Sequence, residues 1–177
     1  MKKISGAELQ AQYVSGKRDF SGLDLSGAEL FEAKLRGSEF IGSNLQKTYL
    51  PYSNLNQAQL QQAQLLSAEL SNAQLNQANL SQANLQEANL FRATLRHANL
   101  QGAHLEGANL QGADLSGADL SFANFTNANL SGANLARANL TKAQLRGCNL
   151  FRAQNVDLSH AYVGSLTIYP DGHHQVN

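Results

Sequence analysis

Residues 73–100 read AQLNQANLSQANLQEANLFRATLRHANL, and every fifth residue of this stretch is leucine. The spacing extends in both directions, and from Phe20 to Leu150 the 27 consecutive positions hold 24 Leu and three Phe, which we call the anchors. Two residues before each anchor lies a position that we call the small slot. From Ala58 to Ala143 this slot holds alanine in all 18 units. The chain is therefore a repeat protein whose unit reads small, polar, Leu, polar, polar.

A period of five residues excludes a helix for the body of the chain, because anchors five apart would step round a helix by about 140° and form no stripe. In a strand, residues two apart point to the same side, which suits the alanine and the leucine of one unit. Residues five apart point to opposite sides, so the chain must turn a corner once per repeat. Successive corners of one sense wind it into a coil with Ala and Leu inside, and stacked coils would pair at about 4.8 Å.

This pattern resembles the pentapeptide-repeat family, whose motif is A-(D/N)-L-x-x and whose members are abundant in cyanobacteria, and the match covers residues 18–153 without a gap. The resemblance implies an all-β fold, a right-handed quadrilateral β-helix with four pentapeptides per coil. The five-residue period alone does not distinguish four sides from three. In this register the chain would make about seven coils and a rod about 34 Å long.

The ends of such a rod need covering, because an open β-helix exposes unpaired backbone and apolar interior. Ser5 and Glu8 have the spacing of a capping box, and Gly16 suits a helix stop. These signals predict a short capping helix over residues 5–15, and the resemblance implies the same, since family members often begin with such a helix. We expect residues 1–177 to form a single domain.

The register changes near the C-terminus, where it breaks at Asn155. Small-polar-apolar triplets then resume with anchors at Leu158, Val163 and Ile168, three residues out of phase. The pattern predicts phase-shifted terminal repeats and a tail over residues 156–177. We interpret this region chiefly as a structural cap, and the alternative is a homodimer contact through the C-terminal end, as resemblance to dimeric family members implies. The candidate end-to-end contact residues are Tyr162, Leu166, Ile168 and Tyr169.

The charge composition argues against binding to polyanions. The chain has 13 basic and 13 acidic residues, so it has no net field to attract nucleic acid, while 18 Asn and 17 Gln dominate its polar surface. Some family members mimic DNA and bind DNA gyrase by presenting an acidic rod. A rod of about 34 Å would need on the order of 20 negative charges for that purpose, yet residues 51–90 carry only Glu69 and Glu87. A gyrase- or topoisomerase-binding DNA mimic is therefore a disfavoured alternative.

The chemistry-bearing residues predict neither catalysis nor a metal site. Cys148 occupies a small slot, which predicts an inert buried thiol, and it has no second cysteine to pair with. His97 and His104 fall on outward positions of different sides, and His173 and His174 lie in the predicted tail. A packed interior of Leu and Ala leaves no cavity for a substrate. We expect no enzyme activity, no cofactor and no bound metal.

Targeting signals are also missing from the sequence. The basic start of the chain has no apolar segment behind it, and no run of 18 apolar residues occurs. These observations predict a cytoplasmic protein that does not contact membranes.

An outward aromatic patch is the candidate partner-binding site. With four repeats per coil, Phe31 and Pro51 occupy the same outward column in adjacent coils, with Tyr49 and Tyr52 beside them. Large apolar groups on a surface of Asn, Gln, Ser and Gly are typical of partner sites, and the alternative is a chance exposure of aromatics at a corner. The sequence thus predicts a non-enzymatic protein-interaction or scaffold protein whose protein partner and specific role are unknown.

Overall fold

Backbone pairing in this chain runs at a constant interval. In the computed structural model, which describes residues 1–174, the residue before each anchor from Phe40 to Leu135 forms single-residue parallel bridges with the residues twenty earlier and twenty later. Asn79, for example, bridges Gln59 and Asn99. One circuit of the chain therefore takes twenty residues, and neighbouring circuits stay in register from Asp19 to Gln154. Within residues 1–174 the pairing uses these single bridges, and no longer strand forms.

The anchors and small slots form the core, as the five-residue period predicts. Every anchor from Phe20 to Leu150 is buried. The backbone ladder holds the circuits together: the Leu80 amide donates to the Asn99 carbonyl at 2.7 Å, and the Asn79 amide donates to the Ala58 carbonyl at 2.9 Å. Because most backbone groups find partners in the next circuit, the Leu and Ala interior can be buried without leaving unpaired polar groups.

Each corner is made by a residue with left-handed backbone, the second after the anchor. Gln77 has φ 58°, and the turn around it is closed by the Ala78 amide, which donates to the Leu75 carbonyl at 3.1 Å. Glycine meets this requirement without strain. At Gly117 it has a second use, because the His97 imidazole of the preceding circuit lies where a Cβ would be.

Helix α1, Gly6–Val14, lies at the N-terminal end of the rod. The Ser5 hydroxyl accepts a hydrogen bond from the Glu8 amide at 3.1 Å, and the Glu8 carboxylate accepts one from the Ser5 amide at 2.7 Å. This backbone hydrogen bond from Ser5 lowers the pKa of Glu8. Leu9 is fully buried, and a Cβ at the first helical residue would overlap the Glu29 carbonyl oxygen. The helix therefore packs closely on the first circuit.

The last circuits are shorter than the others. Gln144 bridges Tyr162, eighteen residues on, and Asn149 bridges Ile168, nineteen residues on. Relative to the twenty-residue circuit, the chain is thus two residues short between Gln154 and Tyr162, and one additional residue before Ile168 reduces this difference to one. The extra residue lies near Gly164, which packs against the Arg146 side chain so closely that a Cβ would come within 3.0 Å of the Arg146 Cβ.

The extra residue overturns one prediction. Ile168 is not an anchor, because it occupies the bridging position beside Asn149. Thr167 fills the small slot instead and is fully buried, and its hydroxyl donates to the Leu145 carbonyl at 2.7 Å. Tyr169 follows in the anchor position. The sequence shows only an apolar residue at 168, so the added residue that shifts the phase cannot be recognised from the spacing.

The chain then turns back on itself. Ile168 forms an antiparallel bridge with His174, and the Tyr169 amide donates to the His173 carbonyl at 2.9 Å. The Tyr169 and His173 rings stack with their centroids 4.3 Å apart. These contacts place the two histidines of the predicted tail against the last circuit, while residues 175–177 of that tail lie outside the described residues.

Candidate functional site

Three aromatic side chains meet on the surface of the N-terminal circuits, and we call Phe31, Tyr49 and Tyr52 the aromatic patch. The Phe31 ring is stacked on Tyr49 with centroids 6.3 Å apart and meets Tyr52 edge-on at 5.9 Å. Their exposed fractions are 50%, 42% and 54% in that order. The structure thus brings together three of the four candidate partner-binding residues as one exposed cluster.

Pro51, the fourth candidate, is buried rather than exposed. Pro51 directly follows an anchor. In other units the amide at this position donates a hydrogen bond to the side chain of the residue two before it, as the Ser81 amide does to the Asn79 Oδ1 at 3.1 Å. Tyr49 offers no such acceptor, so Pro51, which has no amide to donate, fits here without loss. It lies between Phe31 and Ser71 in the same column of the adjacent circuits, and its carbonyl accepts a hydrogen bond from the Glu32 amide at 3.0 Å. Pro51 therefore lies in the column of Phe31 without adding to the exposed surface of the patch.

Acidic residues lie beside the aromatic patch. Tyr49 bridges Glu29 on one side and Glu69 on the other, and Glu32 directly follows Phe31. Glu29 and Glu32 are exposed, whereas the Glu69 carboxylate accepts hydrogen bonds from the Asn89 side chain at 2.8 and 3.0 Å.

A groove of about 390 Å³ lies between helix α1 and the rod, and Glu32 is part of its wall. Its lining residues are Gln10, Tyr13, Val14, Arg18, Glu32 and Lys34. Glu32 directly follows Phe31, so the groove and the aromatic patch include consecutive residues of the chain.

Three other aromatic rings on outward positions each lie beside a cation, whereas Tyr162 has no such contact within residues 1–174. The Arg92 guanidinium is 5.0 Å from the centroid of the Phe91 ring, and Arg152 is 5.0 Å from that of Phe151, in the same column as Phe31. Sequence reasoning missed Phe122, which is 50% exposed with the Lys142 ammonium 5.4 Å from its centroid. It also missed Ile41, which is 40% exposed. The signal was present for both, because the five-residue register places them on outward positions.

The C-terminal candidates fall in the last circuit, with different exposures. Tyr162 and Leu166 are 60% and 70% exposed. Ile168 and Tyr169 are only partly exposed, because the turn that carries His173 and His174 pairs with them. Of the four candidates, Tyr162 and Leu166 therefore present the larger apolar surface.

The outward amides form ladders along the rod. The Asn109 Nδ2 donates to the Asn89 Oδ1 at 3.1 Å, and the Asn84 Nδ2 donates to the Gln64 Oε1 at 3.3 Å. These bonds link side chains twenty residues apart and so add to the pairing of circuits. Amides engaged in this way stabilise the stack and offer few free groups to a ligand.

The interior of the rod is tightly filled. The void along its axis between Leu30 and Leu80 measures about 10 Å³, near the lower limit for one water molecule, and its lining is Leu and Phe40. Cys148 is buried in its small slot, and this burial raises its pKa to about 12. Residues 1–174 contain no group of three or more His, Cys, Asp or Glu placed to hold a metal ion. Over the same residues, no helix has the length and apolarity needed to cross a bilayer.

Comparison of the chain with protein families gives one match. The profile described as pentapeptide repeats matches in eight copies over residues 19–46, 43–82, 53–90, 88–121 and 113–150. None of the curated protein sequences matches the chain significantly.

Several solved structures are similar to this one. HetL, a pentapeptide repeat protein from Nostoc sp. strain PCC 7120 involved in regulating heterocyst differentiation, is 29% identical over 97% of this chain and 100% of its own, with a TM-score of 0.44. The protein alr5209, also from Nostoc, is 28% identical over 92% of this chain and 98% of its own, with a TM-score of 0.38. Trypsin-treated QnrB1, a plasmid-mediated fluoroquinolone resistance protein, is 18% identical over 88% of this chain and 83% of its own, with a TM-score of 0.52. The likeness to QnrB1 concerns the fold alone.

Proposed function

The chain belongs to the pentapeptide-repeat family, which forms right-handed β-helix solenoids, and from that premise we propose that it is a non-enzymatic scaffold that binds a protein through the aromatic patch. The observation that carries this proposal is the cluster itself. Phe31 contacts both Tyr49 and Tyr52, and these three rings, each 42–54% exposed, form the densest group of exposed aromatics within residues 1–174, on a surface otherwise rich in Asn, Gln, Ser and Gly.

The energetics of binding favour this surface over its neighbours. Aromatic side chains supply large contact area with few rotatable bonds, and they dominate the binding energy of many interfaces. The ladder amides already bond to one another, so a partner covering them would gain little and would lose water contacts. Contact energy should therefore concentrate in Phe31, Tyr49 and Tyr52.

The test is a pull-down from the source cell with the triple variant F31S/Y49S/Y52S. We expect the variant to fold normally and to lose any specific partner, because the three side chains lie outside the Leu and Ala core. F122S is the matched control, since it removes a ring of similar exposure elsewhere, and it should keep the partner. Unchanged partner recovery with the triple variant would place the binding surface elsewhere, and loss of the fold would show that the rings are packing groups.

A DNA-mimicking role is disfavoured by the distribution of charge. Residues 1–50 carry seven basic and six acidic side chains, and residues 91–177 carry six basic and five acidic. Neither segment provides the acidic stripe that duplex DNA would require. We therefore expect no effect of this protein in a gyrase supercoiling assay, with or without a quinolone.

The finer architecture is part of the proposal. The twenty-residue circuit and helix α1 support a four-sided rod of about seven coils that is capped at its N-terminal end. Residues 1–177 would then unfold as one domain, and the single buried Cys148 suits a reducing compartment such as the cytoplasm. Removal of residues 1–14 should expose the first circuit and cause self-association beyond that of the intact chain by sedimentation, whereas an unchanged oligomeric state would argue against the cap.

The C-terminal end is a second proposed contact, between two copies of the chain. Tyr162 and Leu166 provide exposed apolar surface on the last circuit, where Ile168 and Tyr169 complete the edge. We expect sedimentation of the intact chain to show a dimer that Y162S/L166S, or removal of residues 156–177, converts to a monomer. A monomeric intact chain at high concentration would rule this contact out.

A further inference from the structure

We propose that the partner presents an arginine-bearing basic segment to the aromatic patch. This inference rests on the proposed function and adds the chemistry of the partner. Its starting point is a difference between the patch and three other rings on outward positions of the rod. Phe91, Phe122 and Phe151 each have a cation of this chain within 5.0–5.4 Å of the ring centroid, and Arg18 lies 3.8 Å from the centroid of Tyr13.

The aromatic patch lacks such a cation within residues 1–174. The nearest basic residues along the chain are Lys34 and Lys47, and neither ammonium lies over a ring of the patch, although both side chains are exposed. Lys34 lines the groove beside helix α1 instead. The ring surfaces of the patch therefore remain open to a cation from outside.

The charges beside the rings have the sign that attracts a cation. Glu29 and Glu69 lie directly before and after Tyr49 in its column, and Glu32 lies in the column of Tyr52, one circuit earlier. Glu29 and Glu32 are exposed, and their carboxylates make no hydrogen bond or ion pair with the described residues. Near Phe91 and Phe151, in contrast, the residue that follows the ring is arginine. The column that contains Glu32 and Tyr52 thus changes from acidic beside the patch to basic further along the rod, at Arg92 and Arg152.

Arginine fits this arrangement better than lysine. Its planar guanidinium stacks on an aromatic face and still directs several N–H donors sideways to carboxylates, whereas an ammonium is a compact and strongly hydrated charge. A guanidinium lying on an exposed ring of the patch would have carboxylates on neighbouring columns within reach of its donors. This complementarity selects a basic segment over an acidic or purely apolar one.

The probe for this inference is a fluorescein-labelled peptide of alternating arginine and serine, with lysine and glutamate versions of the same length, titrated by fluorescence anisotropy at low ionic strength. We expect the arginine peptide to bind saturably and the lysine peptide to bind at least about threefold more weakly. E29Q/E32Q should weaken arginine-peptide binding about three- to tenfold, and F31S/Y49S/Y52S should reduce it to the level of the glutamate peptide. E87Q and F122S are the matched controls and should bind like the intact chain.

Several outcomes would overturn the inference. One is equal binding of the arginine peptide to the intact chain and to the aromatic variant, and another is binding that E29Q/E32Q leaves unchanged. Sedimentation showing a dimer that F31S/Y49S/Y52S dissociates would make a second copy of the chain the occupant instead. If the arginine peptide fails to bind while the pull-down partner is still lost with the aromatic variant, this inference is wrong and the proposed function stands. Unchanged partner recovery with that variant would reject the proposed function itself.

Discussion

The body of the rod, residues 58–150, and the N-terminal circuits, residues 19–57, share one backbone coil but have different interiors. In the body the small slot is alanine in every unit up to Cys148. In the N-terminal circuits two of the anchors are Phe20 and Phe40, whose rings stack with centroids 5.6 Å apart. One complete circuit there has buried hydroxyls in its small slots, at Ser38, Ser43, Thr48 and Ser53.

The backbone network accommodates two of these four hydroxyls, those of Ser43 and Thr48. The Ser43 hydroxyl donates to the Phe40 carbonyl at 2.6 Å, which also accepts the Ser43 amide at 3.0 Å. Thr48 does the same with Leu45 at 2.8 Å. A carbonyl has two lone pairs, so the turn that closes each corner can accept a second donor. The corner geometry therefore defines the coil, and the side chain in the small slot can change within it.

The outer surfaces of the two regions differ as well. In the body the bridging residues are mostly Asn and Gln, and their side chains continue the pairing from circuit to circuit, as between Asn89 and Asn109. Tyr49 interrupts such a column in the N-terminal circuits. In the body the bridging side chains thus add to the pairing of circuits. In the N-terminal circuits an aromatic residue replaces an amide in one column and contributes to an exposed aromatic surface.

The largest expected effect tests the interior of the body. Leu100→Ala should lower the free energy of unfolding by roughly 2–5 kcal/mol, because it leaves a cavity where a fully buried Leu was. Ala103→Leu should also destabilise, by overpacking the small slot. Gln101→Lys, on an exposed position, should be nearly neutral. Urea unfolding measures all three, and equal stabilities would show that the inward register is wrong.

A smaller effect on the free energy of unfolding is expected from the buried hydroxyls, which distinguish the interior of the N-terminal circuits from that of the body. The Ser53 and Ser38 hydroxyls are buried and have no hydrogen-bond partner within residues 1–174. Ser53→Ala should therefore raise the free energy of unfolding by about 1 kcal/mol, since it removes an unsatisfied polar group. Ser43→Ala, the matched control in the same circuit, should lower it by about 1 kcal/mol, because its hydroxyl is bonded to Phe40. Changes of the same sign in both variants would contradict this account of the hydroxyl circuit.

The same comparison shows what the sequence could and could not reveal. The inward register of the body follows from strict periodicity, and so do the columns in which Asn79 bridges Asn99. The burial of Pro51 could not be foreseen from its outward position, because the five-residue period does not report how neighbouring side chains cover an individual outward residue. The phase of Ile168 was also hidden, because one inserted residue leaves no periodic signal. Periodicity reports what every unit shares, whereas the candidate site consists of departures from it.

The smallest expected effect concerns acid and the N-terminal circuits. Backbone hydrogen bonds from Ser21 and Ser26 lower the pKa values of Asp19 and Asp24 from the ordinary 3.8. Because each pKa is lower in the folded chain than in the unfolded one, the ionised carboxylates stabilise the fold above about pH 4, and this contribution is lost as the pH falls through the folded-state pKa.

Asparagine replaces these aspartates conservatively, since it is the commonest residue at the same position of the other units and keeps the oxygen that accepts the amide, as Asn79 does for Ser81. D19N/D24N should therefore fold normally and lose less stability than the intact chain when urea unfolding at about pH 3 is compared with unfolding at about pH 6. An equal loss in both proteins would assign the acid sensitivity to carboxylates elsewhere, such as Asp114. In Asp114 burial opposes ionisation, but hydrogen bonds from Ser116 and Arg96 outweigh it and lower the pKa. In that case the N-terminal circuits would differ from the body in packing and surface, but not in their response to pH.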